Sequence, residues 1–346
     1  MSQYSNFDVT VDGSPDQYYV EARGIGETQV SGVRFEHHGE RLRQQVEKIY
    51  SEHGSSRYQA MKEVGRLLYD ALFSRSVREI WAHSQAQLAK GDKLRLRLNI
   101  RPPVLSRLPW ELLYNSDGDY FLAARLSYPI VRYIESGIPV ASTLARHPLR
   151  VLYLQSNPLN TPPLELDASE RAIEQALGTN CEIKVLRQPT PDALLAALRE
   201  KPGFHILHYD GHAYFDEQAN EGYLLLHDAK NKALSLSGEK LATFLADTSI
   251  RLVVLAACQT GMDASNRRFA GIAQHLMHTS NLPATVAMQF SISDQLTIRF
   301  LDHFYQALAA NYPIDTAVVE GRKGILLHEG INPPAVSAYL QIKIET

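Results

Sequence analysis

From Leu149 onward, apolar runs of strand length alternate with helix-length segments, and this alternation leaves few folds open. Leu149 to Gln155 reads as a buried strand, followed by a proline-bearing loop, a helix from Glu165 to Leu177 and a strand from Glu182 to Leu186. Next come a helix from Pro191 to Arg199, a strand from Phe204 to Tyr209, a helix from Gly238 to Ala246 and a strand from Arg251 to Ala257. A helix from Phe269 to His278, a strand from Ala284 to Met288 and helices from Gln295 to Ala310 and Ile314 to His328 complete the series. Strands that are continuous Val/Leu/Ile runs are covered on both faces, and an intervening helix returns the chain in the same direction. The expected fold is therefore α/β, with a mostly parallel sheet and helices on both faces. Phe269, Ile272, Ala273 and Leu276 share one helical stripe, so that helix buries a face. Gly222 to His227 and Ala233 to Leu236 flank a turn and predict a hairpin beside the sheet. Ser337 to Ile344 alternates and predicts an edge strand.

The N-terminal part follows other periods. Residues 1–35 alternate apolar and polar positions around Asp12-Gly13 and Gly24-Ile25-Gly26, which predicts short antiparallel strands. Between about Gly39 and Lys90, Met61, Val64, Leu67, Leu68 and Leu72 fall on one helical stripe, and two or three helices are expected. Leu94 to Ile100 alternates as a strand, a short helix starts in Leu-Pro-Trp-Glu-Leu-Leu (108–113), and a strand pair is expected at Phe121 to Leu126 and Ile130 to Ile134. Gly137 to His147 is turn-rich. The expected organisation is a β-rich and helical region over residues 1–92, a strand and short-helix segment over 93–147, and the α/β unit over 148–346.

Composition narrows the function classes. A chain of 346 residues with net charge -3 and sequence pI about 6.5 has no basic excess of the kind that neutralises a phosphate backbone or anionic lipid. No nucleic acid or membrane partner is expected, and the N-terminus has neither a basic nor an apolar leader, so a cytoplasmic protein is expected. The two cysteines, Cys181 and Cys258, lie in different predicted elements, which argues against a disulfide framework and for a reducing compartment.

Two segments carry the chemistry. His-Tyr-Asp-Gly-His (208–212) and Ala-Ala-Cys-Gln-Thr-Gly (256–261) each follow a predicted parallel strand, at the sheet edge where α/β proteins place their sites. If those strands are neighbours, His212 and Cys258 face one cleft. An imidazole beside a thiol can hold it as the thiolate, lowering its pKa from about 8.5 to about 3 to 4 in favourable cases, and then protonate the leaving amine. Gly211 and Gly261 are expected to permit sharp turns, and the backbone amides of Ala213 and Cys258 are the expected oxyanion donors. Taken singly, each residue has a plainer reading: Cys258 as a small apolar residue ending a core strand, His212 as a structural histidine. His205, His208 and His212 have a spacing that would suit a metal on a helix, but this segment reads as strand and turn, where residues three apart point to opposite faces. No metal and no cofactor are expected.

These motifs resemble the CHAT-domain family of caspase-like cysteine peptidases, in the clan of caspases and separase. The resemblance rests on Leu-His-Tyr-Asp-Gly-His ending at His212, Val-Val-Leu-Ala-Ala-Cys-Gln-Thr-Gly ending at Gly261, and Gly271-Ile272-Ala273. Pro283 to Gln289, Ile292-Ser293-Asp294, Phe304 to Leu308, Leu108 to Leu113 and Val131-Arg132-Tyr133 extend it, so that it covers about residue 95 to the end. It implies a caspase-like fold and a catalytic dyad on His212 and Cys258. It also implies a regulated bacterial peptidase, in defence or programmed cell death, that cuts a protein substrate and answers to a separate activator or regulatory protein. Two departures stand out: Ala213 occupies a position commonly held by glycine, and no tetratricopeptide repeats are present. The alternative reading is a catalytically silent scaffold on the same fold, and a zinc hydrolase is a third. Separase-like relatives favour a basic residue before the cleaved bond and caspases an acidic one, so the charge of the pocket decides; Asp210, Asp263 and Asp294 are candidate pocket acids for a basic residue. Asp210 could equally be a turn residue and Asp294 a helix cap. The acidic loop Asp216 to Glu221 reads as a solvated tip.

Overall fold

The computed structural model describes residues 4–36, 39–52, 54–133, 148–216, 218–219, 221–256, 272–273, 275–277, 282–288, 294–326 and 338–342. The chain divides into two compact units, Met1–Tyr133 with Ile325–Ser337, and Ile134–Gly324 with Ala338–Thr346.

In the first unit, strands β1 (Tyr4–Ser14), β2 (Gln17–Arg23) and β3 (Gln29–Arg34) form an antiparallel meander. Gly13 has φ +114°, and a Cβ there would lie 2.3 Å from the Gln17 carbonyl oxygen, so the hairpin turn requires glycine. Helices α1 (Gly39–Ser51), α2 (Gly54–Leu72) and α3 (Arg75–Ala86) follow. β1 then pairs in parallel with β4 (Lys93–Ile100), bringing Tyr4 beside Lys93 and Val11 beside Ile100. Phe7, Val9 and Val11 alternate inward, and the Phe7 ring meets Trp81 of α3 edge-on at 4.9 Å.

The expected strand pair near residues 121–134 does not form. A short helix α4 (Pro103–Ser106) precedes a single 3-10 turn at Trp110–Leu112. β5 (Tyr114–Asn115) and β6 (Tyr120–Phe121) make a small hairpin, residues 122–124 form another 3-10 turn, and β7 (Ile130–Arg132) runs parallel to β4. An ion pair explains the arrangement. Arg132 on β7 donates from Nε and one Nη to the two carboxylate oxygens of Glu111, both at 2.9 Å, and to the carbonyls of Leu108 and Ser106. The Glu111 and Arg132 side chains are 1% and 5% exposed. A planar guanidinium satisfies a carboxylate with two parallel bonds, so the pair fixes the 106–112 segment against β7.

The second unit holds the expected α/β series. Its sheet has the order β16-β15-β14-β10-β8-β9, where β8 is Leu149–Ser156, β9 Cys181–Arg187, β10 Ile206–Gly211, β14 Leu252–Ala256, β15 Ala284–Met288 and β16 Ala338–Ile342. All neighbours are parallel except β15 and β16. Helix α5 (Leu166–Leu177) packs with α8 (Asp294–Ala309), and α9 (Ile314–Leu326) follows. Helices α6 (Pro191–Leu198) and α7 (Gly238–Leu245) supply Leu194, Leu241 and Leu245 to a core that also buries Leu207 and Tyr209 of β10. The opposite face of β10 carries His208, which meets Tyr305 of α8, so helices cover both faces. Thr190 and Ser237 cap α6 and α7 by accepting from the amides of Ala193 and Lys240. Ile272, Ala273 and Leu276 are fully buried as their helical stripe requires, whereas Phe269 lies outside the described residues.

The expected hairpin is the major part of a separate three-stranded antiparallel sheet, β11 (Ala213–Asp216), β12 (Glu221–His227) and β13 (Ala233–Ser237). Asp216 closes the β11–β12 tip by accepting from the amides of Gln218 and Ala219.

Removing one partner of a buried ion pair strands the other charge and costs about 3–5 kcal/mol. Glu111→Ala should therefore lose about that much stability in urea unfolding, whereas Arg43→Ala, which breaks only an exposed pair with Glu40, should leave the midpoint unchanged.

Candidate active site

Parallel pairing brings three strand ends to one level. Asp210 of β10 lies beside Gln155 of β8 and beside Ala256 of β14, and Gly211 lies beside Ser156. His212 therefore leaves the sheet two residues past Asp210, and Cys258 follows two residues past Ala256. Cys258, Gly261 and Asp263 lie outside the described residues, as does the side chain of Asp294.

Gly211 is needed for a reason other than the expected turn. It is the last residue of β10, outside the left-handed region, and a Cβ there would lie 2.7 Å from both the Ser156 carbonyl oxygen and the Tyr209 hydroxyl. The hydroxyl of Tyr209 folds back over the strand end, donating to the carbonyls of His212 at 2.5 Å and Leu225 at 3.0 Å. Burial pushes the Tyr209 phenol far above its ordinary pKa, so it remains a donor. The Leu225 amide also donates to the His212 carbonyl, at 2.9 Å. The backbone of His212 is thus held between the main sheet and β12.

Its ring is held too. Nε2 of His212 lies 2.8 Å from the carbonyl oxygen of Pro162, in the loop after β8. A carbonyl only accepts, so Nε2 carries the proton of the neutral ring and Nδ1 is its basic atom. Ala213 begins β11 in extended backbone, where its methyl is readily accommodated. Bonded and non-bonded pairs alternate in an antiparallel ladder. Because the Leu225 amide bonds to His212, Ala213 opposite Leu224 is a non-bonded pair, and its N–H points away from β12.

The remaining candidates separate from this edge. Asp210 is a strand residue with 0% exposure, its carboxylate accepting from the Tyr153 hydroxyl at 3.1 Å. A pocket acid must reach its ligand, so the expectation that Asp210 lines a substrate pocket is corrected, and so is its reading as a turn residue. His208 is also fully buried. Its Nδ1 lies 2.7 Å from the Tyr305 hydroxyl, and burial lowers its pKa to about 3. His205 Nδ1 accepts from the Arg150 amide at 3.1 Å. The three histidines thus engage three separate partners, and among the described residues no group of three His, Cys, Asp or Glu side chains is placed to hold a metal.

Sequence reasoning missed the Pro162 carbonyl, Tyr209 and a cavity at the ends of β8 and β9. Gln155, Asn157, Glu165, Asp167, Arg187 and Gln188 contribute to the lining of a hollow of about 290 Å³ at the ends of β8 and β9. Arg187 is engaged by Glu170 at 2.7 Å, while Glu165 and Asp167 are exposed carboxylates on its rim. The prolines at 158, 162 and 163 marked a loop, but a backbone acceptor has no side-chain signature.

Comparison with known proteins agrees with this architecture. No curated protein matches the chain. Among solved structures, separase in the Saccharomyces cerevisiae separase–securin complex aligns over 98% of this chain with TM-score 0.55 and 9% identity, a second structure of that complex giving 0.52. This chain spans 30% of the separase chain. The Arg-specific cysteine proteinase gingipain R aligns over 79% of this chain and 68% of its own, with TM-score 0.45 and 12% identity. Among the described residues no helix is long and apolar enough to cross a membrane. The CHAT domain model matches residues 62–337, beginning within α2 and so earlier than the motifs alone indicated, and the chain belongs to the CHAT domain family.

Proposed function

We propose that this chain is a cysteine endopeptidase with His212 as general base and acid and Cys258 as nucleophile. The observation that carries the reading is the His212 ring, with Nε2–H fixed on the Pro162 carbonyl at the sheet edge toward which the Cys258 segment leads. Nδ1 accepts the thiol proton of Cys258, and the thiolate attacks the carbonyl carbon of the scissile peptide. The amides of Ala213 and Cys258 hold the resulting oxyanion; donors of this kind are each worth about 100-fold to 1000-fold in rate. The imidazolium then gives its Nδ1 proton to the leaving amine, which releases a thioacyl enzyme. Water, losing a proton to Nδ1, attacks the thioester carbonyl; the carbon–sulfur bond breaks, the acyl group leaves as a carboxylic acid, and the Nδ1 proton returns to the thiolate to restore the thiol. Family membership supports the reaction class, and a protein substrate under the control of a separate regulatory protein in a bacterial cell is the matching role. A basic side chain in the substrate suits the rim formed by Glu165 and Asp167, while Asp263 and Asp294 remain candidate pocket acids.

Alkylation with iodoacetamide near pH 6 tests the dyad, because an ordinary thiol with pKa about 8.5 is scarcely ionised there. Mass spectrometry should find Cys258 modified at a rate that falls at least about 10-fold in His212→Ala. Cys181, whose thiol pKa is raised by burial, should remain slow and serves as an internal control. Equal labelling of the two cysteines, or a Cys258 rate indifferent to His212, would overturn the reading. In a positional peptide library the wild type should cleave and Cys258→Ala should not.

Gly211→Ala would push the Ser156 carbonyl and the Tyr209 hydroxyl away from the strand end. A displacement of His212 on the order of 1 Å should cost about 100-fold in kcat with little change in KM, read on any peptide the library yields.

A further inference from the structure

The carbonyl that fixes His212 sits on a loop whose own position is set from elsewhere. Three hydrogen bonds tie the first half of that loop to the end of β12 and the turn into β13. The Asn157 amide donates to Nε2 of His227 at 3.1 Å, the Leu159 amide to the Asn231 carbonyl at 2.9 Å, and the Ala233 amide to Oδ1 of Asn160 at 2.7 Å. Asn157 also reaches across the loop to the Leu164 carbonyl, and the Thr161 hydroxyl donates to the Pro158 carbonyl at 2.7 Å. With Pro158, Pro162 and Pro163 restricting φ, little freedom remains between the ties and the Pro162 carbonyl.

The His227 ring is 1% exposed and its protonation is dictated by its neighbours. A backbone amide can only donate, so Nε2 must present a lone pair and Nδ1 must carry the proton, which it directs at Oδ1 of Asn231, 3.1 Å away. The His227 amide is bonded to the Pro189 carbonyl, which fixes the strand position. Burial lowers the His227 pKa against the opposing pulls of the Asn231 hydrogen bond and the Asp228 carboxylate, which favours the neutral ring that can accept. The two imidazoles therefore occupy opposite tautomers at the two ends of one loop: His227 receives a proton bond from it, and His212 gives one to it.

We propose that His227, with the turn that follows it, is a positioning clamp for the candidate general base, acting through the Asn157–Pro162 loop on the orientation of the His212 ring. The proposal rests on the peptidase reading. It assigns His227 no contact with substrate.

The test uses the full chain and the rate of Cys258 alkylation by iodoacetamide near pH 6. His227→Leu fills the volume but accepts nothing, and should slow alkylation about 10-fold or more; on a cleaved peptide it should lower kcat and spare KM. His227→Gln, whose amide oxygen can accept from Asn157 while its NH2 faces Asn231, should recover most of the rate. In a His212→Ala background neither change should matter further. A wild-type rate in His227→Leu, an undiminished loss in the His212→Ala background, or no recovery with glutamine would each overturn the proposal. Should the leucine variant not fold, Asn160→Ala at an exposed position loosens the same loop, and a wild-type alkylation rate there would overturn it equally. If His212→Ala alone leaves the rate unchanged, the underlying peptidase reading falls first.

Discussion

Parallel strands all end on the same side of a sheet, and the candidate site depends on that fact. β10 lies between β8 and β14, and strands so paired run about 4.8 Å apart, so the ends of neighbouring strands lie about 5 Å apart and those of the outer two about 10 Å. The loop that presents the Pro162 carbonyl follows β8, His212 follows β10, and the segment with Cys258 follows β14. No hairpin would bring these three exits together. The arrangement also buries both faces of the central strand, and every polar group there needs a partner inside the protein. His208 finds Tyr305 and Asp210 finds Tyr153, so β10 is bound to a helix on one face and to its neighbouring strand.

Much of this was legible because the sequence repeats a simple period long enough to be read. Strands such as 149–155 and 252–256, the amphipathic helices between them, and the turn at Asp12-Gly13 all declare themselves through apolar runs, periodicity or glycine. The failures share a physical origin. Ile130–Arg132 is too short to show a period, and its parallel alignment with β4 is decided by Arg132 finding Glu111, a contact between residues 21 apart. The Phe121 segment turns after two strand residues because its partner is the equally short Tyr114–Asn115.

The site was legible to a similar degree. The candidate base stood out because a histidine after a glycine at a strand end is chemically conspicuous. Asp210, one position from that glycine, looks the same from the sequence whether it faces solvent or the core; burial beneath α8 is a tertiary fact. Pro162 acts through its carbonyl, which every residue possesses, and Tyr209 acts by folding back on its own strand, which no spacing rule encodes. Upstream, Leu108 to Leu113 and Val131 to Tyr133 were recognisable as family segments, yet only the structure joins them through a guanidinium and a carboxylate.

The Tyr209 hydroxyl has one proton and two carbonyls before it, those of His212 and Leu225. At any instant one of the two lacks that donor. The shortfall is tolerable because Leu225 also receives the Ser156 hydroxyl and His212 also receives the Leu225 amide. The backbone at the foot of the candidate base thus has spare donors. A single missing proton can be absorbed by the remaining ones, so the strand end tolerates local errors in hydrogen bonding.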